Sequence, residues 1–182
     1  MRIYRSFVDS STANRWLEHF INSTAWRQDT IRIYGKVHNL PRLQQWYGEP
    51  DRIYRFAGIE MRPLPWSPQI TDILHRVQDQ TGYEYNSVLI NYYRDGNDTV
   101  GYHSDDEPEL GPNPNIASLS LGADRDFILR RIDDSSVKLK INLTSGSLLE
   151  MSGDTQKNWE HCLPKRKGVK RPRVNFTFRK IV

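Results

Sequence analysis

His103-Ser-Asp105 places an imidazole and a carboxylate two residues apart, directly after Gly101 and Tyr102, and a further imidazole, His161, follows much later in the chain. On extended backbone, residues i and i+2 point the same way, so His103 and Asp105 share a side and His161 can complete a three-ligand face. Two imidazoles and one carboxylate leave coordination positions open on a metal, which is the donor set of the non-haem Fe(II) oxygenases. Taken alone, H-x-D is a weak signal. An ordinary surface or core histidine is the alternative for His161, as it is for His19, His38 and His75.

A second pattern lies near the C-terminus, in Arg173-Val-Asn-Phe-Thr-Phe-Arg179. Alternation along a strand puts Val174, Phe176 and Phe178 on one face and Arg173, Asn175, Thr177 and Arg179 on the other. The polar face is either the wet side of a half-buried strand or a pocket wall where guanidinium forks meet carboxylates. Together the two patterns say more than either one. An iron with open positions beside a double-arginine pocket is what a 2-oxo dicarboxylate cosubstrate requires.

Positioning these residues falls to a strand-rich chain. Ala13, Trp16, Leu17, Phe20 and Ile21 recur at helical spacing in SSTANRWLEHFINS, with Ser or Thr as N-cap, and a second helix begins at Ser67-Pro68 and stops near Gly82. Elsewhere β-branched and aromatic runs predict strands over 31–35, 52–61, 85–93, 116–121, 126–132, 137–142, 146–151, 158–163 and 172–180. The expected fold is mainly β with flanking helices, a double-stranded jelly roll rather than alternating βαβ units. One domain over 1–182 fits the length. Residues 85–182 form the jelly-roll core in this reading, and the helices buttress one outer sheet face.

Charge is distributed unevenly along the 182 residues. Residues 1–62 carry 10 Lys/Arg against 6 Asp/Glu, residues 63–156 carry 7 against 15, and residues 157–182 carry 9 against 1. So basic an end fits either a solvated face or an anionic partner such as nucleic acid. The single cysteine, Cys162, excludes an internal disulfide and a Cys-rich zinc site. No apolar run approaches the length of a membrane span or a secretory signal, so an intracellular protein without membrane contact is expected.

In the order H-x-D, H, R-x-N-x-T-x-R, the chain resembles the AlkB family of Fe(II)/2-oxoglutarate dioxygenases, above all its members that act on duplex DNA. The resemblance covers roughly residues 31–181 and includes GKVHNLPR, YRFAG, NYYRDGNDTVGYHSDDE, IASLSLGADRDF, GSLLEM and PRVNFTFRKI. It implies a jelly roll with a nucleotide-recognition lid within residues 1–84. His103, Asp105 and His161 would hold Fe(II). Asn91 and Arg179 would meet the metal-side carboxylate of 2-oxoglutarate, and Tyr93, Arg173 and Asn175 the distal one, with Thr177 on the same wall.

The same resemblance places Tyr54, Phe56 and Glu107 beside the damaged base. Tyr34, Lys36, Arg42, Lys165, Arg166 and Lys167 would face DNA, with Tyr34 as the wedge that fills the gap left by a flipped base. The implied reaction is oxidative demethylation of bases such as 1-methyladenine and 3-methylcytosine, releasing formaldehyde, succinate and carbon dioxide. A monomer acting on duplex and single-stranded DNA is expected, cytoplasmic in a bacterium and nuclear in a eukaryote. Two alternatives stay open at this point: a 2-oxoglutarate-dependent hydroxylase or demethylase of RNA or protein, and a catalytically silent β-domain that binds nucleic acid.

Overall fold

The computed structural model describes residues 1–50, 54–56 and 59–182; for residues 33, 54–56 and 59–61 it describes the backbone alone. Two antiparallel sheets face each other. The larger runs, in spatial order, β1 (Arg2–Tyr4), β12 (Leu148–Met151), β9 (Ile116–Gly122), β14 (Arg173–Arg179), β7 (Ser87–Tyr93) and β4 (Leu43–Gly48). The smaller runs β11 (Lys138–Leu143), β10 (Arg125–Arg131), β13 (Trp159–Leu163) and β8 (Val100–His103). Strands β7 to β14 are shared between the two sheets in jelly-roll order, so the last half of the chain builds both walls. Strands β1 and β4, drawn from before residue 85, extend the larger sheet at its edges.

Two helices cover the outer face of the larger sheet. Helix α1 (Ser10–Ser23) is capped by Asp9, whose side chain accepts from the Thr12 amide at 2.9 Å. The cap is therefore Asp9 rather than one of the following Ser or Thr residues, since a carboxylate satisfies an orphan amide at least as well and also suits the positive end of the helix. Helix α2 (Pro68–Thr81) starts from the Ser67 cap and ends on left-handed Gly82. Ala13 and Phe20 of α1 and Ile70, Ile73, Leu74 and Val77 of α2 close over Val174, Phe176 and Phe178. The Phe20 and Phe176 rings meet edge to face at 4.8 Å.

A second apolar layer, including Trp46, Leu89, Phe127, Leu129, Leu149 and Leu163, fills the space between the sheets. Strand β14 is thus buried on both faces, one among phenyl rings and the other between the sheets. No wet face exists on it. Other strand expectations also change, and Val100–His103 and Lys36–Asn39 are strands outside the predicted runs. The run over 52–61 is two strands, β5 (Tyr54–Phe56) and β6 (Ile59–Met61), with Phe56 paired to Ile59, so the described backbone of the run pairs with itself. Strand β4 went unanticipated because Gln44 and Gln45 hide its alternation, yet both are buried and bonded, Gln44 Nε2 to Asp29 at 2.9 Å and Gln45 Nε2 to the Ala25 carbonyl at 2.6 Å. Strand β1 is too short to signal itself. Outside the sandwich, β2 (Thr30–Ile33) and β3 (Lys36–Asn39) form a hairpin, and α3 (Thr155–Asn158) is a single turn before β13. No helix among the described residues is long and apolar enough to cross a membrane.

Candidate active site and metal centre

Strands β8 and β13 lie side by side with His103 opposite His161, so both imidazoles enter the cavity between the sheets from one wall. Asp105, just past the end of β8, joins them. The ligand atoms of the three side chains lie within 4.8 Å of one another, the only such cluster of His, Cys, Asp and Glu among the described residues. His103 Nδ1 sits 2.9 Å from the Gly101 carbonyl, which can only accept. The proton therefore belongs on Nδ1, and the Nε2 lone pair is left to face Asp105 at 3.9 Å. His161 presents Nε2 to the other oxygen of Asp105 at 3.8 Å, with its ring against Phe127.

The two ends of Asp105 are treated differently. Oδ1 accepts from Arg179 Nη2 at 2.7 Å, while Oδ2 is buried with no hydrogen-bond partner. Burial alone would raise this carboxyl, but Arg179, His161 and His103 overcome it and hold the pKa at about 2. Burial, and then the neighbouring His103, push His161 down to about 3. At neutral pH the site presents one carboxylate and an unprotonated His161, the states that ligate a cation. An orphaned carboxylate oxygen beside the His161 imidazole, with the His103 imidazole at the other oxygen, fits a divalent metal in this place.

Across the cavity, Arg173, Asn175, Thr177 and Arg179 of β14 face inward, with Asn91 and Tyr93 of β7 beside them. Arg173 is 2% exposed, donates to Ser120 Oγ at 2.9 Å and lies over the Tyr93 ring at 5.2 Å. It makes no ion pair among the described residues, and its Nε has no hydrogen-bond partner. Burial draws its pKa down to about 10, still well above neutral. A charged guanidinium buried without a counter-ion is costly, and a carboxylate from a small molecule is the natural complement. Arg179 and Arg173 thus play unequal parts, one anchoring Asp105 and the other waiting for an anion.

Several expected residues lie elsewhere or act otherwise. Arg42, expected at the DNA backbone, is 3% exposed and lines the cavity, its Nε donating to Asn91 Oδ1 at 2.8 Å. It stands two residues before Gln44 on the side of the chain that looks between the sheets, so it cannot reach a phosphate outside. Asn175 spends Nδ2 on Ser118 Oγ and the Leu119 carbonyl, and its oxygen accepts from Thr177. It braces the wall rather than offering a donor to a carboxylate. Arg166 is committed to Asp126, through Nη2 at 2.9 Å. Lys36, Lys165 and Lys167 are exposed. Glu107 is half-buried directly before the 3-10 turn Pro108–Leu110, and the side chains of Tyr54 and Phe56 lie outside the described residues.

Sequence reasoning missed Ser118, Ser120 and Gln156. The serines alternate in Ile116-Ala-Ser-Leu-Ser-Leu-Gly122, which was signal enough that two small hydroxyls share a face. Gln156, 2% exposed, accepts from the Asp105 amide at 3.0 Å and so ties the H-x-D segment to the turn before β13. Nothing local in the sequence marks it.

A jelly roll whose walls bring two histidines and an aspartate against a buried arginine is the architecture of an iron- and 2-oxo-acid-dependent oxygenase, and comparison with known proteins agrees. The sequence matches the 2OG-Fe(II) oxygenase superfamily over residues 1–179. It is 42% identical over 173 residues to the mouse DNA oxidative demethylase ALKBH2, covering 91% of this chain and 71% of that protein. The human protein of the same name matches equally, with 65% of its length covered. Human alpha-ketoglutarate-dependent dioxygenase alkB homolog 3 is 41% identical, over 98% of this chain and 65% of its own. Among solved structures, OsALKBH1 superposes with a TM-score of 0.67 at 19% identity, over 98% of this chain and 97% of that one, a likeness of fold. The chain belongs to the 2OG-Fe(II) oxygenase superfamily and, within it, to the AlkB family.

Proposed function

We propose that this chain is a DNA repair dioxygenase that removes N-methyl groups from bases of the 1-methyladenine and 3-methylcytosine type. The observation that carries the reading is a cluster of two imidazoles and the Asp105 carboxylate, one of whose oxygens is buried without a hydrogen-bond partner beside His161, set across a cavity from an arginine without a counter-ion. The DNA specificity is supported by the relatives, which are named DNA oxidative demethylases. His103, Asp105 and His161 hold Fe(II), and Arg173 takes the distal carboxylate of 2-oxoglutarate. When bound, iron, 2-oxoglutarate and dioxygen supply the oxidising power that hydroxylates an N-methyl carbon, with succinate and carbon dioxide as co-products. The hydroxymethyl group then leaves as formaldehyde and the base is restored.

This chain's own residues set the geometry. Arg179 and Gln156 fix Asp105 from its side chain and its amide. Arg42 turns the Asn91 oxygen toward itself, which leaves the Asn91 amide protons for the metal-side carboxylate. On the surface, Tyr34 forms the β2–β3 turn with Gly35; both have positive φ, 47° and 78°, and Tyr34 is fully exposed. A two-residue turn of this kind favours Asn or Gly at its first position, so a tyrosine there retains a side chain at a conformational cost. That exposed ring suits a wedge that offsets lost stacking when a base is flipped out. A methylated Watson–Crick edge already weakens pairing, which lowers the cost of flipping. In this reading the enzyme works as an intracellular monomer on duplex and single-stranded DNA.

Formaldehyde release from 1-methyladenine and 3-methylcytosine placed in duplex DNA, single-stranded DNA and RNA tests the assignment. Turnover on DNA supports it. Release confined to RNA, or 2-oxoglutarate turnover with no nucleic-acid substrate, overturns it.

A further inference from the structure

The basic stretch after β13 is fastened to a turn far away in sequence. The Gly96 amide donates to the Val169 carbonyl at 2.8 Å, and the Arg166 amide donates to the Gly96 carbonyl at 2.7 Å. The Val169 amide closes the loop on the Arg166 carbonyl at 2.9 Å. A Cβ on Gly96 would run into the Arg166 carbonyl oxygen, so the two backbones meet only because residue 96 has no side chain.

Beneath this contact lies Arg125, 1% exposed. Its Nη1 donates to the Asp95 carbonyl at 3.1 Å, and its Nη2 to the Asp98 and Pro164 carbonyls at 2.9 and 2.8 Å. It makes no ion pair among the described residues, so its directional donors hold backbone rather than neutralise charge. One guanidinium therefore grips the turn at 95–98 and the start of the basic loop together. The loop's Lys165, Lys167 and Lys170 take no part; all three are exposed and make no ion pair among the described residues.

We propose that Gly96 and Arg125 are positioning residues for nucleic-acid binding: they preform the 164–170 loop so that Lys165, Lys167 and Lys170 meet phosphates without having to be ordered first. The proposal rests on the reading of the chain as a DNA enzyme. Ordering a loop on binding subtracts from affinity, whereas a loop held by backbone bonds in the free protein has already met that cost. Phosphate contacts set affinity and register rather than base choice.

Gly96→Ala separates position from charge, because every cation stays. Fluorescence anisotropy with an unmodified duplex of roughly 20 base pairs, over a salt series, compares wild type, Gly96→Ala and the triple variant Lys165→Ala/Lys167→Ala/Lys170→Ala. Gly96→Ala should weaken duplex binding about tenfold, raise KM for methylated duplex at unchanged kcat, and leave 2-oxoglutarate affinity, read by tryptophan fluorescence with Mn(II), unchanged. The triple variant should weaken binding at least as much and flatten the salt dependence. Wild-type affinity in Gly96→Ala with weakened binding in the triple variant overturns the clamp and leaves the DNA reading standing. Full affinity in both takes the loop out of the interface and overturns the clamp as well, while a wild-type protein that binds no DNA overturns the reading beneath it. Should Gly96→Ala not fold, amide hydrogen exchange on the wild type decides: slow exchange at Gly96, Arg166 and Val169 without DNA supports a preformed loop, and open-chain rates overturn it.

Discussion

Two groups of cations in this molecule, among the described residues, contrast. Inside the sandwich, Arg42, Arg173 and Arg179 are each at most 3% exposed and point into one cavity. On the surface, Lys36, Lys165, Lys167 and Lys170 are exposed. Both populations carry the same sign, but burial makes them different instruments. A buried guanidinium with fixed partners selects one carboxylate geometry in a place where charge is poorly screened, whereas an exposed ammonium meets any phosphate and is weakened by salt. Two of the nine basic residues after position 156 therefore belong to the cosubstrate wall and not to a DNA surface.

The comparison breaks most abruptly at the metal cluster. Asp105→Ala should bring formaldehyde release to background, a larger loss than the roughly 10- to 100-fold that follows from disturbing a group one shell out, such as Gln156; chelating the metal should do the same. An active Asp105→Ala enzyme would place the iron elsewhere.

Arg173→Met tests the interior cation. It removes a charge-assisted contact worth about 1.5–3 kcal/mol, or about 10- to 150-fold in the 2-oxoglutarate requirement. Because the buried charge has no counter-ion until cosubstrate binds, the variant without cosubstrate should melt no lower than wild type and should lose the rise in Tm that 2-oxoglutarate gives. A destabilised variant with normal 2-oxoglutarate dependence would make Arg173 a structural residue only.

Surface substitutions should act on nucleic acid alone. Tyr34→Ala is expected to slow repair about tenfold in duplex DNA, a fraction of the few kcal/mol of unstacking that flipping requires, with little change on single strands. Equal losses on both would refute the wedge. Lys165→Ala with Lys167→Ala should lower the logarithmic salt slope by about 1.8, two contacts at about 0.9 each. Arg166→Ala should barely move the slope, since its guanidinium is engaged by Asp126.

A separate test is the acid stability of the metal-free protein. An unfolded His161 takes a proton near its ordinary 6.5, while the folded one refuses it down to about 3. Between those values the unfolded state holds the extra proton, so stability falls as pH drops from 6.5 towards 3, by at most about 1.4 kcal/mol per pH unit for one proton. Asp105, depressed to about 2, adds a loss of the same sign below its ordinary 3.8. Replacing His161 with Gln should flatten the upper part of this profile in urea titrations, and an unchanged slope would show that the proton is taken up elsewhere.

Local pattern alone determined which residues share a side. Alternation separated the arginines of β14 from its phenylalanines, the H-x-D spacing put an imidazole and a carboxylate together, and apolar spacing marked both long helices, with the Ser67 cap fixing the start of the second. Those are properties of neighbours in the chain, and backbone geometry transmits them directly. What stands opposite was decided only by the tertiary structure. It sent Arg42 inward rather than to the surface, set Gln156 against the Asp105 amide, and seated Gly96 against Arg166. Each depends on two segments distant in sequence packing to within hydrogen-bonding distance, and periodicity specifies a face without specifying its partner.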